Sequence, residues 1–117
     1  MVLINKIIVE VMFKADYCLI CHYMDEAIRE VLPEYRDYVE YRRVDILKDE
    51  GKKRFLELSV CLFGEEGVYK KMLIAPIPSM FINGELFFDT IPPRPLLEEA
   101  IREVIVEHFQ EDTHEKG

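Results

Sequence analysis

The segment Ile7-Ile8-Val9-Glu10-Val11-Met12-Phe13 is the strongest constraint on how this chain can fold. It is rich in β-branched residues and apolar at both alternating positions except for Glu10. A strand of that kind buries both of its faces, so it belongs in the interior of a sheet with helices on either side. Lys14-Ala15-Asp16-Tyr17 reads as a short connection. Ile20, Met24, Ala27, Ile28, Val31 and Leu32 then recur at helical spacing until Pro33 stops the pattern.

Tyr38 to Ile46 reads as a second strand and Asp49 to Leu58 as a second helix, opened by acidic residues that suit a helix N-terminus. Ser59 to Ala75 resists assignment. Gly64-Glu65-Glu66-Gly67 marks a turn there between two apolar stretches, and Val60, Leu62, Phe63, Val68, Tyr69, Met72, Leu73 and Ile74 are read as core. The alternative is that part of them forms an apolar platform beside Pro78 for a protein partner. Ser79-Met80-Phe81-Ile82, Asn83-Gly84 and Glu85-Leu86-Phe87-Phe88 form a hairpin signal, because Asn-Gly readily supplies the two positive φ angles of a type I′ turn. Pro92, Pro93 and Pro95 stiffen the next connection, and Leu96, Leu97, Ala100, Ile101, Val104 and Ile105 give a last helix its apolar face.

The element order is βαβα–ββα. One βαβ crossover followed by an antiparallel pair predicts an α/β fold with a mixed sheet of about four strands and helices on both faces. At 117 residues the chain is expected to hold one domain, residues 1–109, with 110–117 as a loose polar tail. Half of it is apolar, enough for a single core without staples. The net charge of -8 argues against nucleic acid and against an anionic membrane as partners, since both call for clustered Lys and Arg. Residues 1–13 carry no signal-peptide pattern, and no apolar run approaches a bilayer span, so a cytoplasmic monomer is expected.

Two of the three cysteines, Cys18 and Cys21, fall where the first strand ends and the first helix begins. A thiol at a helix N-terminus faces unpaired backbone N–H groups and the positive end of the dipole, and both stabilise a thiolate. Lowering a thiol pKa from about 8.5 to about 7 takes roughly 2 kcal/mol of such preference. Two intervening residues on a helical turn also leave the second sulfur close enough to close a disulfide.

Phe13-Lys14-Ala15-Asp16-Tyr17-Cys18-Leu19-Ile20-Cys21-His22 resembles the active-site segment of the thioredoxin-like family. Ile77-Pro78-Ser79, running into Met80-Phe81-Ile82-Asn83-Gly84-Glu85, resembles the same family's second signature. The resemblance spans about residues 6–109. It implies the thioredoxin-like fold and a thiol–disulfide oxidoreductase that acts on protein disulfides, with an unidentified reductase or oxidase as redox partner. Cys18 is then the exposed nucleophile and Cys21 the resolving thiol. Pro78 is implied to be cis beside them, with Tyr17, Ile77 and Pro78 binding extended substrate. No cofactor or metal is implied.

The sequence also departs from that family. Leu-Ile stands between the cysteines instead of Gly-Pro, and Met12 occupies the position where thioredoxins carry a buried acid. Glu10, about 7 Å along the same strand face, reads either as a charge near a strand end or as a substitute proton relay. The chain starts at the central strand, nearer in plan to glutaredoxins, yet Phe87-Phe88-Asp89 stands where those carry Gly-Gly.

Cys18-Leu19-Ile20-Cys21-His22 also matches the c-type haem attachment pattern, so an electron-transfer haem protein is one alternative. A redox-silent binding module on the same fold is another. Zinc is disfavoured, because Cys61 is the only further thiol and no second ligand pair accompanies it. Cys61 itself reads as a small buried hydrophobe, dispensable for dithiol chemistry.

Overall fold

A computed structural model describes residues 6–116, with side chains to residue 109. Strand β1 (Ile7–Phe13) is buried along almost its whole length. It pairs in parallel with β2 (Val39–Asp45) and antiparallel with β3 (Ser79–Ile82), which in turn pairs antiparallel with β4 (Glu85–Phe88). The sheet order is β2-β1-β3-β4, so the doubly buried strand lies inside, as its two apolar faces demand.

Helices α1 (Leu19–Val31), α2 (Asp49–Tyr69) and α3 (Arg94–Lys116) cover the two faces. Met24, Ile28 and Val31 of α1 and Leu97 and Ile101 of α3 pack on Ile7, Val9, Val11, Met80 and Ile82. Phe55 and Leu58 of α2 pack on Met12, Val44 and Phe81 from the other side. Odd and even positions of β1 thus serve different helices, which is why an alternating pattern never shows in its sequence.

Three boundaries differ from the sequence reading. The α1 segment ends at Val31 and gives way to a 3-10 turn over Leu32–Tyr35, where Pro33 lacks the N–H an α-helix interior uses. Most of the unassigned stretch is the second half of α2, which does not stop at Leu58 but bends at Gly64 (φ 77°, ψ 164°) and ends at Tyr69, leaving residues 70–75 as a turn and irregular chain. That residue adopts a backbone conformation only glycine enters freely. Finally, α3 continues as helix to Lys116 through residues read as a loose tail, since Gln110 to Lys116 include no breaker; Gly117 lies outside the described residues.

The Asn83–Gly84 turn has φ values of 50° and 82°. Asn83 also ties the hairpin to β1: its N–H donates to the Ile8 carbonyl at 2.8 Å and its Oδ1 accepts from the Ile8 N–H at 2.9 Å. This fixes the register of β3 against β1, in which Met12 faces Ser79.

Candidate active site

The chain leaves β1 at Phe13 and turns once, with the Cys18 N–H donating to the Ala15 carbonyl at 2.9 Å. Cys18 is the N-cap of α1, in extended conformation, and its Sγ accepts from the Cys21 N–H at 3.3 Å. Sulfur here takes the place of the oxygen that usually satisfies an orphan N–H at this position. The sulfurs of Cys18 and Cys21 are joined as a disulfide, with Cα atoms 5.3 Å apart. Cys21 is 0% exposed, beneath the helix, whereas Cys18 is half-buried and reachable. Leu19, Ile20 and Tyr17 are exposed around it.

His22 locks this junction. Its Nε2–H donates to the Asp16 carbonyl at 2.9 Å, across the connection, and its ring meets the Phe13 ring edge-on at 4.8 Å. The Arg43 guanidinium lies over that same Phe13 ring, 4.3 Å from its centroid. The connection is thereby tied through Asp16 and His22 to the end of β1.

Pro78 is buried and follows a cis Ile77–Pro78 peptide bond. With Met12 facing Ser79, Pro78 falls alongside the end of β1, at the edge of the sheet from which the Cys18 connection departs. Ile77 is partly buried and packs on the Met12, Val44 and Phe81 cluster. Cys18, Cys21 and Pro78 are thus gathered at one end of the sheet, and Tyr17 adjoins them along the chain.

Two sequence expectations are corrected. Cys61 is exposed. The core stripe of α2 runs through Phe55, Leu58, Ser59 and Leu62, and Cys61 falls off it, on the opposite side of the sheet from α1. Of the residues read as core with it, Val68 is buried, while Phe63, Tyr69, Met72, Leu73 and Ile74 are exposed. The bend at Gly64 breaks the helical phase before Tyr69, and Met72, Leu73 and Ile74 lie beyond the end of α2.

Glu10 is buried, but on the α2 face, where both of its oxygens accept from Arg54. The carboxylate is thus an ion-pair element in the sheet interior. The bonds to Glu10 raise the Arg54 pKa further above its ordinary value.

Two other buried polar groups escaped the sequence reading. Asp25 of α1 accepts from Tyr41 Oη and from Arg29 Nε. Burial first, and then the hydrogen bond to Asp25, push the Tyr41 pKa well above its usual value. Asp25 and Arg29 are legible as a helical i,i+4 pair, but nothing in the sequence points to Tyr41. Ser59, the second, holds the Ala75 N–H. Its sole signal is a hydroxyl on an otherwise apolar stripe.

No family model and no curated protein matches the sequence. Solved structures do match. A malarial protein superposes with a TM-score of 0.56 at 16% identity, covering 85% of this chain and 97% of its own. Thioredoxin-2, described as a component of the malaria parasite's protein secretion machinery, gives 0.55 at 16% identity over 85% of this chain and 84% of its own. The fold is that of thioredoxin. Mitochondrial thioredoxin 3 of Saccharomyces cerevisiae, in its oxidised form, gives 0.53 at 18% identity over 85% and 79%. On this thioredoxin-like frame the Cys18–Cys21 pair stands at the strand–helix junction.

Proposed function

We propose that the protein is a thiol–disulfide oxidoreductase that exchanges disulfides with protein substrates in the cytoplasm, with a separate reductase or oxidase as its redox partner. The observation that carries this reading is the Cys18 sulfur at the cap of α1, accepting from the Cys21 N–H and bonded to the buried Cys21. In the reduced protein the same N–H and the helix dipole favour the Cys18 thiolate. That thiolate attacks a substrate disulfide, forming a mixed disulfide and releasing one substrate thiolate, which takes up a proton. Cys21 loses its proton and attacks Cys18 Sγ, expelling the second substrate thiolate. Two electrons pass to the substrate, and the Cys18–Cys21 disulfide is left for the partner to reduce. The oxidising direction is the same sequence in reverse.

Tyr17, Ile77 and Pro78 are the proposed substrate contacts, since they border Cys18 on the chain and at the adjoining sheet end. The test is a redox titration of the pair combined with reduction of insulin disulfides by a dithiol. A potential near about −270 mV marks a reductant and one near about −120 mV an oxidant. Insulin left unreduced by protein whose pair titrates would overturn the reading. A haem band surviving denaturation would replace it with covalent haem attachment through the same cysteines.

A further inference from the structure

We propose that Ser59 is a positioning residue for the substrate groove, acting through the backbone of Ala75 to hold the segment Ala75–Pro78 in place. This rests on the reading of Cys18, Cys21 and Pro78 given above, and it names a residue on the far side of the sheet that governs substrate binding.

Ser59 is 0% exposed on the core side of α2. Its Oγ accepts the Ala75 N–H at 2.9 Å, a buried hydrogen bond between positions 16 apart. Bringing Ala75 back to α2 requires two reversals. Gly64 bends the helix at φ 77°, and Met72 turns the chain at φ 57°. Just past Met72, the Leu73 N–H donates back to the Gly67 carbonyl at 3.0 Å. Met72 is a side-chain-bearing residue in a left-handed conformation, which costs energy and persists where neighbouring bonds impose it.

Beyond Ala75 the chain is stiff. Pro76 and Pro78 fix their own φ, and each forces the residue before it toward extended backbone. Ala75–Pro78 is therefore a short rod with two hydrogen-bonded anchors, besides the packing of Ala75 and Ile77 in the core on the α2 side. One is Ser79, paired with Met12 in the sheet; the other is Ser59. Without the hydroxyl the rod keeps its sheet end and the apolar packing of Ala75 and Ile77, which is non-directional, so the Ile77 backbone beside the dithiol is held less closely relative to Cys18. A substrate held by that backbone then binds less well, while the chemistry of the sulfurs at the α1 cap is untouched.

The experiment compares wild type with Ser59→Ala in insulin reduction, in reduction of a small aromatic disulfide, and in redox titration. The expected result is a KM for insulin raised roughly three- to tenfold, the fold equivalent of one neutral hydrogen bond. kcat, the small-disulfide rate and the potential should stay within twofold. Amide hydrogen exchange on the wild type gives an independent measurement, with Ala75 protected and that protection lost in the variant. Ser59→Cys, of similar volume and weaker acceptor strength, serves if Ser59→Ala does not fold, and should give a smaller rise in KM. An unchanged KM in a folded variant overturns the proposal, as does an unprotected Ala75 amide in the wild type. A wild type that reduces no insulin overturns the activity instead, and leaves Ala75 protection to be read separately.

Discussion

Arg54 reaches from α2 to the central strand and meets both carboxylate oxygens of Glu10, with Nε 2.7 Å from Oε2 and Nη2 2.8 Å from Oε1. Glu10 is 1% exposed, whereas Arg54 lies at the rim and also reaches Glu57. Such a fork-on-carboxylate pair is the way a charge enters a sheet interior without being stranded.

Removing one partner should therefore cost far more than removing both. Arg54→Met leaves a buried carboxylate unpaired and should destabilise by about 3 kcal/mol, the low end for a broken buried pair because Arg54 is partly solvated. Glu10→Leu combined with Arg54→Met should recover most of that loss. Urea denaturation of the single and double variants checks it. A double variant no better than the single one would show that the pair contributes packing and not charge compensation.

The Tyr41–Asp25 contact predicts a pH dependence. Burial and the Asp25 carboxylate raise the folded-state pKa of Tyr41, so its proton is held more tightly folded than unfolded. The stability this contributes is fully present below about pH 10, where unfolded tyrosine is protonated, and is lost progressively as pH rises from there toward the higher folded-state value. Tyr41→Phe should cost about 1.5–3 kcal/mol at pH 7, a hydrogen bond to a charged group. It should also flatten the fall in stability above pH 10 by about 1 kcal/mol per pH unit relative to wild type. Urea titrations of both proteins at pH 8 and pH 11 measure the difference.

Gly51 sits in the first turn of α2, where a Cβ would fall 1.9 Å from the Asp45 carbonyl oxygen. The obstacle is backbone and cannot rotate away. Gly51→Ala should cost about 3 kcal/mol by forcing α2 off the end of β2, the upper range for overpacking. Thermal or urea unfolding checks it, and Gly51→Ser should be at least as harmful.

Cys61 gives the opposite expectation. It is exposed, on the opposite sheet face from α1. Cys61→Ser should leave stability within about 0.5 kcal/mol and insulin reduction unchanged. A large loss of activity in the folded variant would make the third thiol part of the exchange chemistry.

The legible parts of this fold are those where one local signal and the tertiary structure agree. The doubly apolar β1 requires an interior position, Asn83-Gly84 provides both positive φ angles, and Cys18 falls at a cap where backbone N–H groups are free. Residues 59–75 were opaque for a physical reason. A helix bent at Gly64 carries two apolar phases, and Gly64 and Gly67 together read as a turn. Glu10 alone looked like a candidate relay because its partner lies 44 positions away, and separations of that size leave no periodic trace. Ser59 and Tyr41 each meet a partner 16 positions away, also too far for a helix or strand period to show.

The division of labour between Cys18 and Cys21 is the prediction that bears most directly on mechanism. Cys18 is half-buried at the cap, with the Cys21 N–H pointing at its sulfur, while Cys21 is fully buried one turn into the helix. Hydrogen bonding and the helix dipole favour the thiolate at the first position, and desolvation disfavours it at the second. In the reduced protein, alkylation against pH should therefore show the lower pKa at Cys18. Cys21→Ser should accumulate substrate covalently on Cys18, because the mixed disulfide lacks the thiol that resolves it. Cys18→Ser should neither trap nor turn over, and both variants should lose at least about 100-fold in insulin reduction, since each lacks one half of the exchange. Mass spectrometry of the trapped species locates the bond. Trapping on Cys21, with Cys18→Ser the better trap, would reverse the assignment and require the helix to open before attack.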